Sequence, residues 1–113
     1  ATLGALVLAA HEPVQAFSAL SPASFAELHT VTGHMESALV KAFQYDKINY
    51  LMLMMVDPDV HFHVLPRYAQ PKQFADMAFM DAGWPAMPNL GQVNKTDTAI
   101  NQLIMEHIQF YWP

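Results

Sequence analysis

The chain has 113 residues, more than half of them hydrophobic, with no cysteine and a net charge of -5. That is enough for one domain and too few for two, and the composition suits a compact core and not a disordered chain. Disulfides, thiol nucleophiles and thiolate metal sites are excluded. The five cations, Lys41, Lys47, Arg67, Lys72 and Lys95, are scattered and offer no basic stripe, which argues against binding to nucleic acid. A single phosphorylated small molecule, held by backbone N–H groups and a few side chains, remains open.

The first segment, Leu3 to Ala10, is a short apolar run closed by His11-Glu12-Pro13. It lacks the basic start of a signal peptide and is too short to span a bilayer, so a buried strand is expected and no membrane partner. The cysteine-free composition is compatible with a reducing cytoplasm, and a cytoplasmic location is expected.

Ser21 can cap a helix that begins at Pro22, where the missing N–H costs nothing. Phe25, Leu28, Met35, Leu39 and Phe43 recur at threes and fours, so the helix is expected from about Pro22 to Phe43, weakened slightly at Gly33. Lys47 to Val56 is almost wholly apolar and reads as a strand buried on both faces. A turn at Asp57-Pro58 leads into a second strand, Val60 to Leu65, ended by Pro66. So short a connection makes the two strands antiparallel neighbours.

Beyond Tyr68 the prolines and glycines predict an irregular surface excursion anchored by Phe74, Phe79 and Trp84. Thr96 or Asp97 can cap a last helix with Ile100, Leu103, Ile104 and His107 on one face. The apolar end Phe110-Tyr111-Trp112-Pro113 predicts docking against something, such as a second subunit.

Chemistry concentrates on Asp59-Val60-His61-Phe62-His63. Side chains alternate along a strand, so Val60, Phe62 and Val64 would enter a core while Asp59, His61 and His63 share the other face. An acid and two imidazoles in a row are costly to bury and more naturally line a site. Asp59 is placed to accept the N–H of His61 and fix its tautomer. The competing view is a partly exposed strand that happens to carry two histidines, at about even odds for a bare His-x-His.

The run from Pro58 to Arg67 resembles the signature of the histidine-triad (HIT) family, in which three histidines alternate with apolar residues and two apolar residues, proline and arginine commonly follow. Val64-Leu65-Pro66-Arg67 sets the register. His63 then matches the third triad histidine, His61 the second, and Asp59 stands where the first would be. The order of strand, Phe17–Pro22 segment, long helix and strand pair follows the family, and Asp81-Ala82-Gly83-Trp84-Pro85 is similar to a segment of some bacterial members. The match covers roughly the first two-thirds of the chain.

The resemblance implies a single α+β domain over residues 1–113, with an antiparallel sheet and a long helix packed on one face. Members carry a first strand and short helix before the point where this chain starts, so the chain is either truncated or has a reduced nucleoside pocket. Members also often carry a longer phosphate-touching turn before the triad, for which Met55-Val56-Asp57-Pro58 is too short. The implied activity is a nucleotide hydrolase or nucleotidyl transferase acting at the α-phosphate of a nucleoside polyphosphate or phosphoramidate. His61 would be the nucleophile, with its other nitrogen held as a donor by the backbone or by Asp59, and His63 a phosphate or leaving-group ligand; an Asp59 carboxylate that orients His61 would also repel phosphates. Asn49 and Arg67 are candidate substrate contacts, although an arginine just past a strand is more often solvated, by about two to one. No cofactor is expected, a homodimer is, and reduced activity or nucleotide binding without catalysis is the main alternative. A metal site on Asp59, His61 and His63 is less favoured, because Asp59 and His63 would lie about 13 Å apart along a strand.

Overall fold

A computed structural model describes all of residues 1–113. In chain order the elements are β1 (Leu6–Ala9), α1 (Pro22–Phe43), β2 (Lys47–Leu51), β3 (His61–Arg67), β4 (Lys72–Phe74), β5 (Met77–Phe79) and α2 (Thr98–Tyr111), with a short 3-10 turn at Phe17–Ala19. The architecture is α+β: an antiparallel sheet in the order β1-β3-β2, a separate β4-β5 hairpin, and two packed helices.

The long helix begins and ends as its sequence dictates. The Ser21 hydroxyl accepts the Ser24 N–H at 3.1 Å, and Pro22 occupies the first turn. Glu12 reinforces the cap: its carboxylate accepts the Ser21 N–H at 3.0 Å and the Ser24 hydroxyl proton. The Ser24 hydroxyl, with the Ser21 N–H, holds the Glu12 carboxyl below the ordinary carboxylate range. At the other end Gln44 turns left-handed, φ 49°, and donates its N–H to the Val40 carbonyl at 2.9 Å.

Cross-strand register fixes which residues share a face. Leu6, Leu8, Ile48, Tyr50, Phe62 and Val64 line one side and pack on Met35, Ala38, Leu39, Ala42 and Phe43 of α1. The core lies between this sheet face and the helices, where α2 adds Ile100, Ile104 and Ile108. Only the second half of α1 contributes buried side chains; Phe25 is exposed and meets Phe17 edge-on. Leu103 of α2 is likewise exposed, so it does not share the packed face expected of it.

Several expected boundaries shift. β1 is shorter than Leu3–Ala10, because Gly4 takes a left-handed φ of 80° beneath Phe43 and breaks the extended run. β2 stops at Leu51, so the connection to β3 is a nine-residue loop, 52–60, and not a tight turn. The apolar sequence continues through Met55 and Val56, yet both side chains are exposed. The two strands are antiparallel neighbours as expected.

Pro66 lies within β3 instead of ending it. Its carbonyl faces the β1 side, where it accepts the Thr2 hydroxyl at 2.5 Å, and β1 has already stopped at Leu6 opposite Val64. The missing N–H therefore deprives no ladder partner. The excursion after Tyr68 contains a real hairpin, whose turn residues Ala75 and Asp76 both have positive φ, 50° and 60°. Phe79 is buried and Phe74 meets Phe43 edge-on, so these two anchors hold.

Candidate functional site

The sheet face turned away from α1 carries Val7 and Ala9 from β1, His61, His63, Leu65 and Arg67 from β3, and Lys47, Asn49 and Leu51 from β2. Register places His63 between Val7 and Leu51, His61 beside Ala9, and Asn49 diagonal to both His63 and Arg67. The expected pleat is thus realised for the two histidines: their rings stand on the same side, 5.2 Å apart between centroids and inclined at 76°.

Asp59 departs from the expectation. It lies in the bend before β3, outside the strand, with an exposed side chain and its own N–H donated to Asp57 Oδ1 at 3.1 Å. What meets His61 Nδ1, at 2.7 Å, is the backbone oxygen of Asp59 and not its carboxylate. A carbonyl only accepts, so Nδ1 carries a proton, and in the neutral ring Nε2 is the nitrogen with the free lone pair. His61 is only 6% exposed, yet no side-chain nitrogen or oxygen in the chain is buried without a partner. Nε2, which has none within the protein, therefore reaches solvent. Half-buried His63 has no internal hydrogen bond either, and its ring nitrogens reach solvent by the same reasoning.

Arg67 is not the solvated arginine expected; it is 4% exposed. Nε donates to Asp81 Oδ2 at 2.6 Å, Nη2 to Asp81 Oδ1 at 3.2 Å and to the Ala86 carbonyl at 2.9 Å, and Nη1 to Asn49 Oδ1 at 2.7 Å. Those bonds take up all but one of the five guanidinium donors. The Asp81 side chain is fully buried and accepts also from the Tyr68 and Gly83 N–H groups, each at 3.2 Å. Burial works against its charge, but the Arg67 and backbone hydrogen bonds outweigh that and hold the carboxyl below its usual range. This hub clamps residues 81–86 across one end of the face and leaves the histidine end uncovered by it. It also fixes Asn49: with Oδ1 held by Arg67, the Nδ2 amide is left as an unpaired donor that reaches solvent.

Sequence reasoning missed Asp81 as the partner of Arg67, although it had singled out the segment that contains it. Of the two acceptors open from sequence for the His61 N–H, the backbone and the Asp59 carboxylate, the structure has the backbone, at the Asp59 carbonyl. The face can supply a nitrogen nucleophile, a neighbouring imidazole and an amide donor. No group of three or more His, Asp or Glu side chains converges as metal ligands, so Asp59 does not join the two histidines. A groove of about 110 Å³ between β1 and α1, lined by Leu8, Leu20, Leu28 and Phe62 with His11 and Glu27, lies on the opposite side of the sheet. No helix is long and apolar enough to cross a membrane.

No protein-family model matches the chain, and no curated protein sequence matches it. Solved structures do. A histidine triad (HIT) protein from Sinorhizobium meliloti 1021 superposes with a TM-score of 0.76 at 21% identity, over 95% of this chain and 73% of that one. A histidine triad protein from Bradyrhizobium japonicum gives 0.74 at 20% identity, over 96% and 75%. The chain has the fold of these histidine-triad proteins.

Proposed function

We propose that this chain is a histidine-triad nucleotide hydrolase or nucleotidyl transferase, with His61 as nucleophile toward the α-phosphorus of a nucleoside polyphosphate or phosphoramidate. The observation that carries the reading is the Nδ1 contact with the Asp59 carbonyl, which selects the neutral tautomer whose lone pair is on Nε2, beside His63 on a solvent-reached face. A neutral, pre-oriented imidazole is what nucleophilic catalysis by histidine requires.

The lone pair of His61 Nε2 forms a bond to the α-phosphorus as the bond to the leaving group breaks, and the departing group takes that electron pair and a proton from solvent or from His63. Charge develops on the imidazole, and the Nδ1–H···O bond to Asp59 strengthens as it does. Water then attacks phosphorus and gives up a proton to solvent or His63, the N–P bond breaks with its electron pair returning to Nε2, and the nucleotide is released. His63, 5.2 Å away between centroids, is placed to contact the phosphoryl oxygens or the leaving group. Asn49 Nδ2 is the further substrate donor in this reading. Arg67 acts through Asn49 as a positioning residue, not as a direct phosphate ligand.

Asp59 occupies the position of the first triad histidine in the resemblance. Its exposed carboxylate adds negative charge where phosphates would approach, which favours a second reading, a nucleotide-binding relative with reduced catalysis. The homodimer belongs to the same proposal, supported by the exposed apolar side chain of Phe110 near the C-terminus. Incubation with a panel of nucleoside phosphoramidates and dinucleoside polyphosphates tests the enzyme reading through product release. Calorimetric binding of AMP or GMP without any turnover would leave the second reading in its place.

A further inference from the structure

One edge of the main sheet is open. β1 is an outer strand of the order β1-β3-β2, and the backbone of Leu6–Ala9 makes no hydrogen bond beyond its pairing with β3. The Ala10 N–H donates to the Val60 carbonyl at 3.2 Å. By the alternation of an antiparallel ladder, Leu6 and Leu8 then turn their N–H and C=O groups toward β3, and Val7 and Ala9 turn theirs outward. Such edges are normally guarded by charge, proline or a covering segment. β2, the opposite edge, begins with exposed Lys47. Thr2 to Ala10 holds no charged residue and no proline, and Val7 is 63% exposed.

The amount of exposed surface points the same way. The chain exposes 7151 Å², against roughly 6200 Å² for a compact monomer of 12.7 kDa. The excess, about 900 Å², is close to the roughly 800 Å² that each partner of a stable dimer buries. We propose that β1 pairs antiparallel with β1 of a second copy, about a two-fold axis at Leu8. Leu8 then faces the partner's Leu8, and Val7 faces the partner's Ala9. Each Val7–Ala9 pair exchanges two backbone hydrogen bonds, which takes up the outward groups of both residues. An axis normal to the sheet keeps every side chain on its own face. The two Leu8 side chains meet on the helix side, beside the groove that Leu8 and Ala10 line. Both histidine faces lie on one side of a continuous six-stranded sheet, three strands from each copy. The proposal rests on the homodimer reading and names its seam; it needs no nucleotide chemistry.

The chain has no cysteine, so introduced thiols report the register directly. Under mild oxidation Leu8→Cys should give a covalent dimer, because facing residues of paired strands have the Cα spacing a disulfide needs. Leu8 is half-buried, so a second measurement uses the exposed positions on either side of it. Val7→Cys mixed with Ala9→Cys should cross-link at least tenfold faster than either variant alone, or than Val56→Cys in the exposed loop. Analytical ultracentrifugation should show the unaltered protein as a dimer. The double variant Val7→Lys/Ala9→Lys, which sets like charges opposite one another across the seam, should weaken it at least tenfold. A monomeric unaltered protein overturns the proposal and the homodimer reading together. A dimer without the Val7–Ala9 cross-link, or one that the double variant leaves intact, overturns the β1 seam alone.

Discussion

The backbone oxygen of Asp59 sits 2.7 Å from Nδ1 of His61, so the chain itself, and not an acidic side chain, sets the tautomer of the neutral His61 ring. Changing the residue at 59 keeps that carbonyl. Asp59→Ala is therefore expected to retain nucleotidyl transfer, with kcat/KM unchanged or raised a few-fold toward anionic substrates as the carboxylate's repulsion disappears. Steady-state kinetics with a nucleoside phosphoramidate checks this; a loss of a hundredfold or more would put the carboxylate into the mechanism.

The Arg67–Asp81 pair is buried on both sides, so removing one partner strands a charge. Asp81→Ala or Arg67→Ala should cost about 3–5 kcal/mol of stability, and replacing both with apolar residues of similar volume should cost less than either alone. Urea unfolding of the two single variants and the double variant reads this as a coupling energy. Additive losses would contradict it.

The same pair sets a pH dependence. The folded-state carboxyl of Asp81 titrates below its ordinary value, so its contribution to stability is present above the unfolded-state range near pH 4 and is lost as pH falls through the folded value. Stability of the unaltered protein should fall more steeply below about pH 4 than that of Asp81→Asn, which has no such proton to take up. Equal acid slopes in urea titrations would show that Asp81 is not the linked group.

Two glycines should respond in opposite directions. Gly33 lies in the middle of α1 with open space around its Cα, so Gly33→Ala should stabilise by about 0.5–1 kcal/mol and raise Tm. A Cβ at Gly83 would sit 2.2 Å from the Met87 carbonyl oxygen, so Gly83→Ala must displace the segment that Asp81 anchors. It should lower Tm by several degrees. Differential scanning calorimetry of both checks the pair.

The helix-side architecture was legible because it depends on local chemistry. Ser21-Pro22 marks the start of α1, Asp97 caps α2, and the alternation from His61 to Val64 puts both histidines on one face. Errors arose where burial depends on distant chain. Met52 to Val56 reads as strand by hydropathy, but the backbone leaves the sheet after Leu51. Arg67 reads as solvated until residues 81–86 fold over it. The β4-β5 hairpin turns on Ala75-Asp76, which carries none of the glycine or asparagine that announces such a turn. Asp59 reads as part of the pleat because strand periodicity cannot show that the strand begins two residues later.

The central claim is that His61 Nε2 bonds to phosphorus. Intact-protein mass spectrometry of acid-free, rapidly quenched mixtures with a nucleoside 5′-phosphoramidate tests it, followed by peptide mapping. One nucleotidyl group per chain, located on His61 and absent from folded His61→Ala, is the predicted result. Turnover without any adduct, an adduct on another residue, or neither adduct nor turnover across the substrate panel would contradict it.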